Sequence, residues 1–299
     1  MRKSYLLWLL LLAAWIWLGV TLWQKYLCDC WGNGAAKTSQ GSYLGSWVVQ
    51  DNNAFSSTCH DYFRFMRSTP THLQPLPNNI EHCLVETVSY LNKNPNKSLT
   101  ITGYYDESEK NNSLFPNLGM GRANEVKSFL VSLGLQPNHL ALSSKLIPKD
   151  AAWFSNDTLQ RGIDFTFENM KSNADDSRLI DIKSRLLNKP ITLYFGIDQN
   201  QIELNEQQRT DFADVIYYLD HVPASSLNIG GHTDNLGKPF TNNTLSQKRA
   251  EFVSQYLTAN ASLDGKRLVA KGYGSSKPLN NNLTKEDKAL NRRVEIVLN

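Results

Sequence analysis

One stretch of the chain occurs twice. With Leu76 set on Leu204, the same interval leads to Asp106 and to Asp234, and LTITGYYD lies on LNIGGHTD, so that Leu99, Ile101 and Gly103 fall on Leu227, Ile229 and Gly231. After a loop one residue longer in the first stretch, LGMGRANEVKSFL lies on LSQKRAEFVSQYL. That register puts Arg122, Ala123, Val126 and Leu130 on Arg249, Ala250, Val253 and Leu257. Solenoids repeat every ~20–50 residues, so self-similarity over ~100 residues indicates a duplicated domain, and each copy must close a core of its own.

Hydrophobic spacing gives each copy the order strand, helix, strand, helix, strand, strand. In the second, ITLYF from Ile191 alternates as a strand does. Residues Asn205 to His221 carry Phe212, Val215, Ile216 and Leu219 at helical spacing, and Ser226 to Gly231 is a strand. Leu245 to Thr258 reads as the next helix, with Arg267 to Gly272 and Arg292 to Leu298 as the last strands. Two helices crossing over onto a mixed sheet make an α/β sandwich. The expected organisation is a membrane anchor over 1–27, a flexible linker over 28–57, a first βαβαββ domain over 58–168, a charged linker over 169–188 and a second βαβαββ domain over 189–299.

The leader sets the compartment. From Tyr5 to Trp23 the chain reads YLLWLLLLAAWIWLGVTLW, with no ionisable group except the tyrosine phenol. A helix of that length nearly matches the ~30 Å hydrocarbon thickness of a bilayer. The run exceeds a usual signal-peptide core and no small-x-small cleavage site follows it, so a retained span is the preferred reading. Cys28 follows Lys25, Tyr26 and Leu27, which disfavours a lipoprotein signal. Arg2 and Lys3 before the span and Lys25 after it bias the N-terminus to the cytoplasm and the bulk to the periplasm of a Gram-negative cell. All four cysteines then lie where thiols can be oxidised. Cys28 and Cys30 sit too close together for a zinc ribbon, and Cys59 with Cys83 is the pair favoured for a bridge. Gly, Ser, Asn and Gln dominate from Trp31 to Ser57 apart from Tyr43 to Val49, the composition of a tether. A net charge of +3 from 31 basic and 28 acidic side chains is too small for affinity resting on dense neutralisation of phosphates, which argues against a genome-coating role, and no nucleic-acid partner is expected.

The second copy contains Thr233-Asp234, Gly237, Asn242, Leu245-Ser246, Arg249-Ala250, Gly272 and Gly274, and Asn291-Arg292-Arg293-Val294, in that order. From Ile191 to Asn299 it resembles the OmpA-like peptidoglycan-binding domain shared by envelope anchors and flagellar-type stators. The resemblance implies that Asp234 and Arg249 grip the diaminopimelate of the peptidoglycan stem. That residue ends in an ammonium beside a carboxylate, which calls for one acceptor carboxylate and one fork-shaped donor. The same resemblance places Thr233 in the site and gives Gly237 the role of letting the loop approach the ligand. It has Asn242 brace that loop, the N–H groups at Leu245 and Ser246 add donors, and either Arg292 or Arg293 close the site from the last strand, with Asn291 also among the site residues. His232 is read as a strand-edge residue rather than an acid or base.

The first copy departs from the pattern. Asp106 and Arg122 persist as a degenerate equivalent site, but no glycine matches Gly237 in DESEKNNSLFPNLG, and QRGIDFTF leaves only Arg161 of the arginine pair. The expected function is non-covalent anchoring of a single-pass inner-membrane protein to peptidoglycan, without turnover. Its partners would be the wall, the membrane and an envelope protein complex, with a homodimer compatible. No catalytic residue, cofactor or metal is assigned. A stator subunit shares the topology, yet the span lacks the ionisable Asp a proton relay needs. An envelope scaffold whose first domain binds a protein is the other alternative, while a wall hydrolase would need paired carboxylates or a metal.

Overall fold

Inward-pointing Trp47, Val49 and Asp51 alternate with exposed neighbours to make strand β1 (Ser46–Asp51). It pairs antiparallel with β2 (Phe55–His60), Trp47 opposite Cys59. This hairpin lies inside the segment expected to be a linker as far as Ser57, and its attachments explain the difference. The Asp51 carboxylate accepts from Lys97 Nζ at 2.8 Å and from Tyr90 Oη at 2.7 Å, bonds that hold it below the usual carboxylate range. Trp47 Nε1 donates to the Asp61 carbonyl, and Cys59 is joined to Cys83 as a disulfide with Cα atoms 5.3 Å apart. The computed structural model describes residues 45–149, 151–170, 174–196, 203–261 and 263–299. The expected span Tyr5–Trp23, Cys28, Cys30 and the earlier part of the expected linker lie outside these residues. Among the described residues no helix is long and apolar enough to cross a membrane.

The N-terminal half continues with β3 (Phe65–Met66), α1 (Asn78–Lys93), β4 (Lys97–Tyr105), α2 (Leu118–Ser132), β5 (Leu140–Leu146), β6 (Phe154–Ser155), β7 (Thr158–Leu159) and β8 (Ile163–Asn169). Its main sheet has the order β5-β4-β8, parallel on the first side and antiparallel on the second. Strands β3, β7 and β6 form a small separate sheet. On α1 the buried set Ile80, Cys83, Leu84, Thr87, Val88 and Leu91 follows helical spacing and faces this core.

The C-terminal half holds α3 (Ala174–Asn188), β9 (Ile191–Tyr194), α4 (Glu206–His221), β10 (Leu227–Gly231), α5 (Pro239–Ala261), β11 (Leu268–Gly272), α6 (Lys285–Asn291) and β12 (Arg293–Leu298). Its sheet order is β11-β10-β12-β9, with β10 parallel to β11 and antiparallel to β12. Asn205 caps α4 in a reciprocal box with Gln208, satisfying two otherwise unpaired N–H groups. The segment expected as a charged linker over 169–188 carries α3, whose Ile182 and Leu186 are buried in the C-terminal core. Its Arg178 and Arg185 pair with Asp214 of α4.

Helix and sheet come into backbone contact at equivalent places in the two halves. A Cβ on Gly103 would stand 1.9 Å from the Gly119 carbonyl oxygen, and one on Gly231 2.0 Å from that of Ser246. No side-chain rotation relieves such a clash, so only glycine lets the helix lie this close to the strand. The halves also meet each other. Lys127 Nζ pairs with Asp220 at 2.5 Å, Asn124 donates to the Asn260 carbonyl, and Leu114 and Phe115 join the C-terminal core. These contacts make the described residues one compact unit.

Candidate functional site

Asp234 stands three residues beyond the end of β10 and is nearly buried, yet its carboxylate keeps an open side. Oδ2 accepts from Arg292 Nη1 at 2.9 Å, and Oδ1 accepts the Leu236 N–H at 3.1 Å. An ionised carboxylate offers about four acceptor positions, so capacity remains for an incoming ammonium. Arg292 also donates from Nε to the Phe195 carbonyl, while Arg249 on α5 donates to the Gly196 carbonyl at 3.3 Å and lies over the Phe195 ring. One carboxylate and two guanidinium groups are thus gathered around the segment just past β9. Gly237 turns the loop beside them with φ at +92°, a conformation that favours glycine. Asn242 Nδ2 ties that loop by donating to the Asp234 carbonyl at 3.4 Å.

The remaining expected site residues have other work. Helix α5 begins at Pro239, six residues before Leu245, so the N–H groups of Leu245 and Ser246 fall inside the helix and are not terminal donors. Pro suits a first helical turn because its missing N–H would be unpaired there anyway. Arg249 is correspondingly deeper in the helix than one turn. Ser246 Oγ donates to the Asn243 carbonyl and accepts the Gly274 N–H, which pins α5 to the loop after β11. Thr233 is buried, and its N–H also holds Gly274 through the carbonyl. Asn291 braces the approach to the last strand, accepting the Leu279 N–H and donating to Asn280. Arg293 turns away from Asp234, donating to Glu295 at 2.8 Å and to the Lys277 carbonyl. Only Arg292 of the arginine pair reaches the site.

His232 is buried and stacked on Tyr273. Burial, reinforced by the nearby Arg293 charge, pushes its pKa down to about 4. Glu295 lies 3.6 Å away but is already held by Arg293, so the imidazole stays neutral at pH 7. The sign of the linkage follows: unfolding lets His232 take a proton at its ordinary pKa of 6.5. Stability should therefore be unaffected above that pH and fall as pH drops from 6.5 towards 4, by about 3 kcal/mol at most from this group. Urea midpoints measured across that window should show the fall, and His232→Gln should flatten it; an equally steep fall in the variant would assign the effect elsewhere.

In the N-terminal half the equivalent arginine is already occupied. Arg122 is fully buried and donates to Glu109 through Nη1 at 3.0 Å and Nη2 at 2.6 Å, with further bonds to the carbonyls of Thr69, Tyr104 and Met66. Glu109 also accepts the N–H groups of Asp106 and Ser68, both at 2.9 Å. Burial alone would raise its pKa, but the Arg122 and backbone bonds outweigh it and hold the carboxyl below the usual range. Glu109 follows Asp106 by the interval at which Gly237 follows Asp234. An internal carboxylate thus replaces the glycine and takes the arginine's fork. Asp106 faces Ser108 instead, and Arg161 turns to Asp164 and the rings of Tyr62 and Trp153.

The family match falls in the C-terminal half. Residues 194–292 are an OmpA family domain. The chain is 35% identical over 101 residues to outer membrane porin F of Pseudomonas aeruginosa, covering 34% of this chain and 28% of that protein. It is 43% identical over 81 residues to the peptidoglycan-binding protein ArfA of Mycobacterium bovis, covering 27% of this chain and 24% of that one. The likeness thus spans less than a third of either relative's length. Among solved structures, the peptidoglycan-associated lipoprotein of Burkholderia pseudomallei is 28% identical with a TM-score of 0.34, covering 38% of this chain and 92% of its own. Phe195, Gly196 and Glu109 escape a reading of the site from the sequence motifs, although setting Glu109 against Gly237 in the internal alignment would have singled out the last.

Proposed function

We propose that the OmpA family domain holds peptidoglycan non-covalently through the diaminopimelate of the peptide stem, Asp234 accepting its ammonium and Arg249 donating to its carboxylate. The observation that carries this reading is the gathering of Asp234, Arg292 and Arg249 around Phe195 and Gly196 beside the positive-φ turn at Gly237. Such a set offers both signs of charge to a zwitterion within one small site. Arg292 orients the Asp234 carboxylate towards the ligand. The N-terminal half is a degenerate second copy, a reading supported by its matching strand order and by Glu109 at the Gly237 position, and it serves as a spacer or a protein-binding surface. The leader anchors the chain in the inner membrane with the bulk in the periplasm, so that the protein ties a membrane assembly to the wall without turnover.

Co-sedimentation of the full-length chain in detergent with purified peptidoglycan tests the reading. The chain should pellet with the wall, and excess free meso-diaminopimelate should release it, whereas N-acetylglucosamine should not. A pellet indifferent to diaminopimelate would remove the assignment of the ligand.

A further inference from the structure

A cleft of about 580 Å³ opens between the halves, lined by the loop after β4 and by helices α4 and α5. Its size lies within the ~300–1,000 Å³ of ordinary small-molecule sites. Arg209 of α4 and the exposed Lys110 make the lining cationic, with Glu203 as the acidic side chain among the lining residues. Phe252 and Tyr256, one turn apart on α5, add a stacked aromatic surface with ring centroids 6.4 Å apart. Asn112 contributes an amide whose Nδ2 is bonded to the Ser68 carbonyl.

Arg209 carries the argument. Its Nη1 is sealed from solvent and has no hydrogen-bond partner, and no ion pair to Arg209 occurs among the described residues. Burial holds its guanidinium below the usual arginine value and likewise pushes the Tyr256 hydroxyl up. A desolvated donor without an acceptor costs stability until something supplies one. Arg209 as a whole is part-buried and lines the open cleft, where an acceptor for its guanidinium can enter. An inorganic anion would satisfy the charge but leave the aromatic surface unused, whereas a pyranose presents an apolar C–H face to rings and hydroxyls to amides.

We infer that this cleft binds a sugar acid, its carboxylate taken by Arg209 and Lys110 and its ring lying on Tyr256 and Phe252. The inference is independent of the wall-binding reading, since it uses none of Asp234, Arg249 or Arg292. Two sources share the chemistry, a muramic acid freed of its peptide and a uronic acid of an envelope polysaccharide.

Calorimetric titration of the full-length chain in detergent with N-acetylmuramic acid and with glucuronic acid tests it and separates the sources by which binds tighter. At least one should bind with a dissociation constant in the millimolar range or better. N-acetylglucosamine, which lacks the lactyl carboxylate, and inorganic phosphate should each bind at least tenfold more weakly. Arg209→Gln and Lys110→Ala should each weaken the acid at least threefold, Arg209→Gln the more, while melting temperatures hold or rise because no native ion pair is lost. Asp234→Ala should bind the acid as the wild type does. Absence of binding by both acids, equal binding of N-acetylglucosamine or phosphate, full binding by Arg209→Gln, or loss in Asp234→Ala would each overturn the proposal.

Discussion

Glu109→Ala should lower stability by about 3–5 kcal/mol, the cost of leaving a buried charge without its partner. The guanidinium of Arg122 cannot follow the missing carboxylate into water, because it is fully buried and fixed to three backbone carbonyls. The N–H groups of Ser68 and Asp106 would lose their acceptor at the same time. Removing both charges together should behave differently: Glu109→Leu with Arg122→Met leaves no unpaired ion and should recover much of the loss, as apolar replacement of buried pairs often does. The pH dependence carries a sign as well. A carboxyl whose folded pKa is depressed contributes fully above the ordinary carboxylate range, and that contribution is lost as pH falls through the folded value. Urea unfolding of the three chains at pH 7 and at pH 4 measures both effects. A loss below about 1 kcal/mol for Glu109→Ala would mean that water reaches Arg122 and that the pair is not a brace.

What the sequence made legible, and what it hid, follows from where hydrophobic spacing reports. Helix α4 and strands β10, β11 and β12 lie within a residue or two of the expected bounds, because Phe212, Val215, Ile216 and Leu219 or Leu227 and Ile229 carry a clear period. The expected helix α5 starts six residues late and ends three residues early; its start is hidden because KPFTNNT has no apolar face and only Pro239 marks it. Helix α3 looked like a linker because its charges outnumber Ile182 and Leu186, the two side chains that anchor it. The β1–β2 hairpin was hidden by polar composition, although Trp47, Val49 and Asp51 alternate as a strand requires. The two-residue strands β3, β6 and β7 are too short for any period. At the site, Asp234, Gly237, Asn242 and Arg249 were legible as types in order. Which of Arg292 and Arg293 faces Asp234 depends on where the helix α6 ends and the strand begins, a matter of one residue that reverses the side chain's face.

Asp234→Ala and Arg249→Ala should each reduce wall binding at least tenfold, because a ligand charge that is partly desolvated without its partner typically costs ~2–5 kcal/mol. The two losses have different companions. Removing Asp234 also leaves Arg292 without its ion pair, and that guanidinium, freed at the mouth of the site, would repel the ligand ammonium. Asp234→Asn keeps the shape and the Leu236 turn bond, so it isolates the charge and should bind nearly as poorly as the alanine variant. Arg249→Lys keeps a cation but not the fork, and should recover only part of the binding. Asp106→Ala is the appropriate control in the other half. Its carboxylate contacts Ser108, and the arginine equivalent to Arg249 is already bound by Glu109, so wall binding should hold. Arg122→Ala is unsuitable, since any loss would report unfolding of the brace rather than a second grip. Sedimentation with purified peptidoglycan, read beside melting curves that show each variant folded, measures the set. Undiminished binding by folded Asp234→Asn would place the ligand elsewhere, and an equal loss in Asp106→Ala would mean that both halves hold the wall.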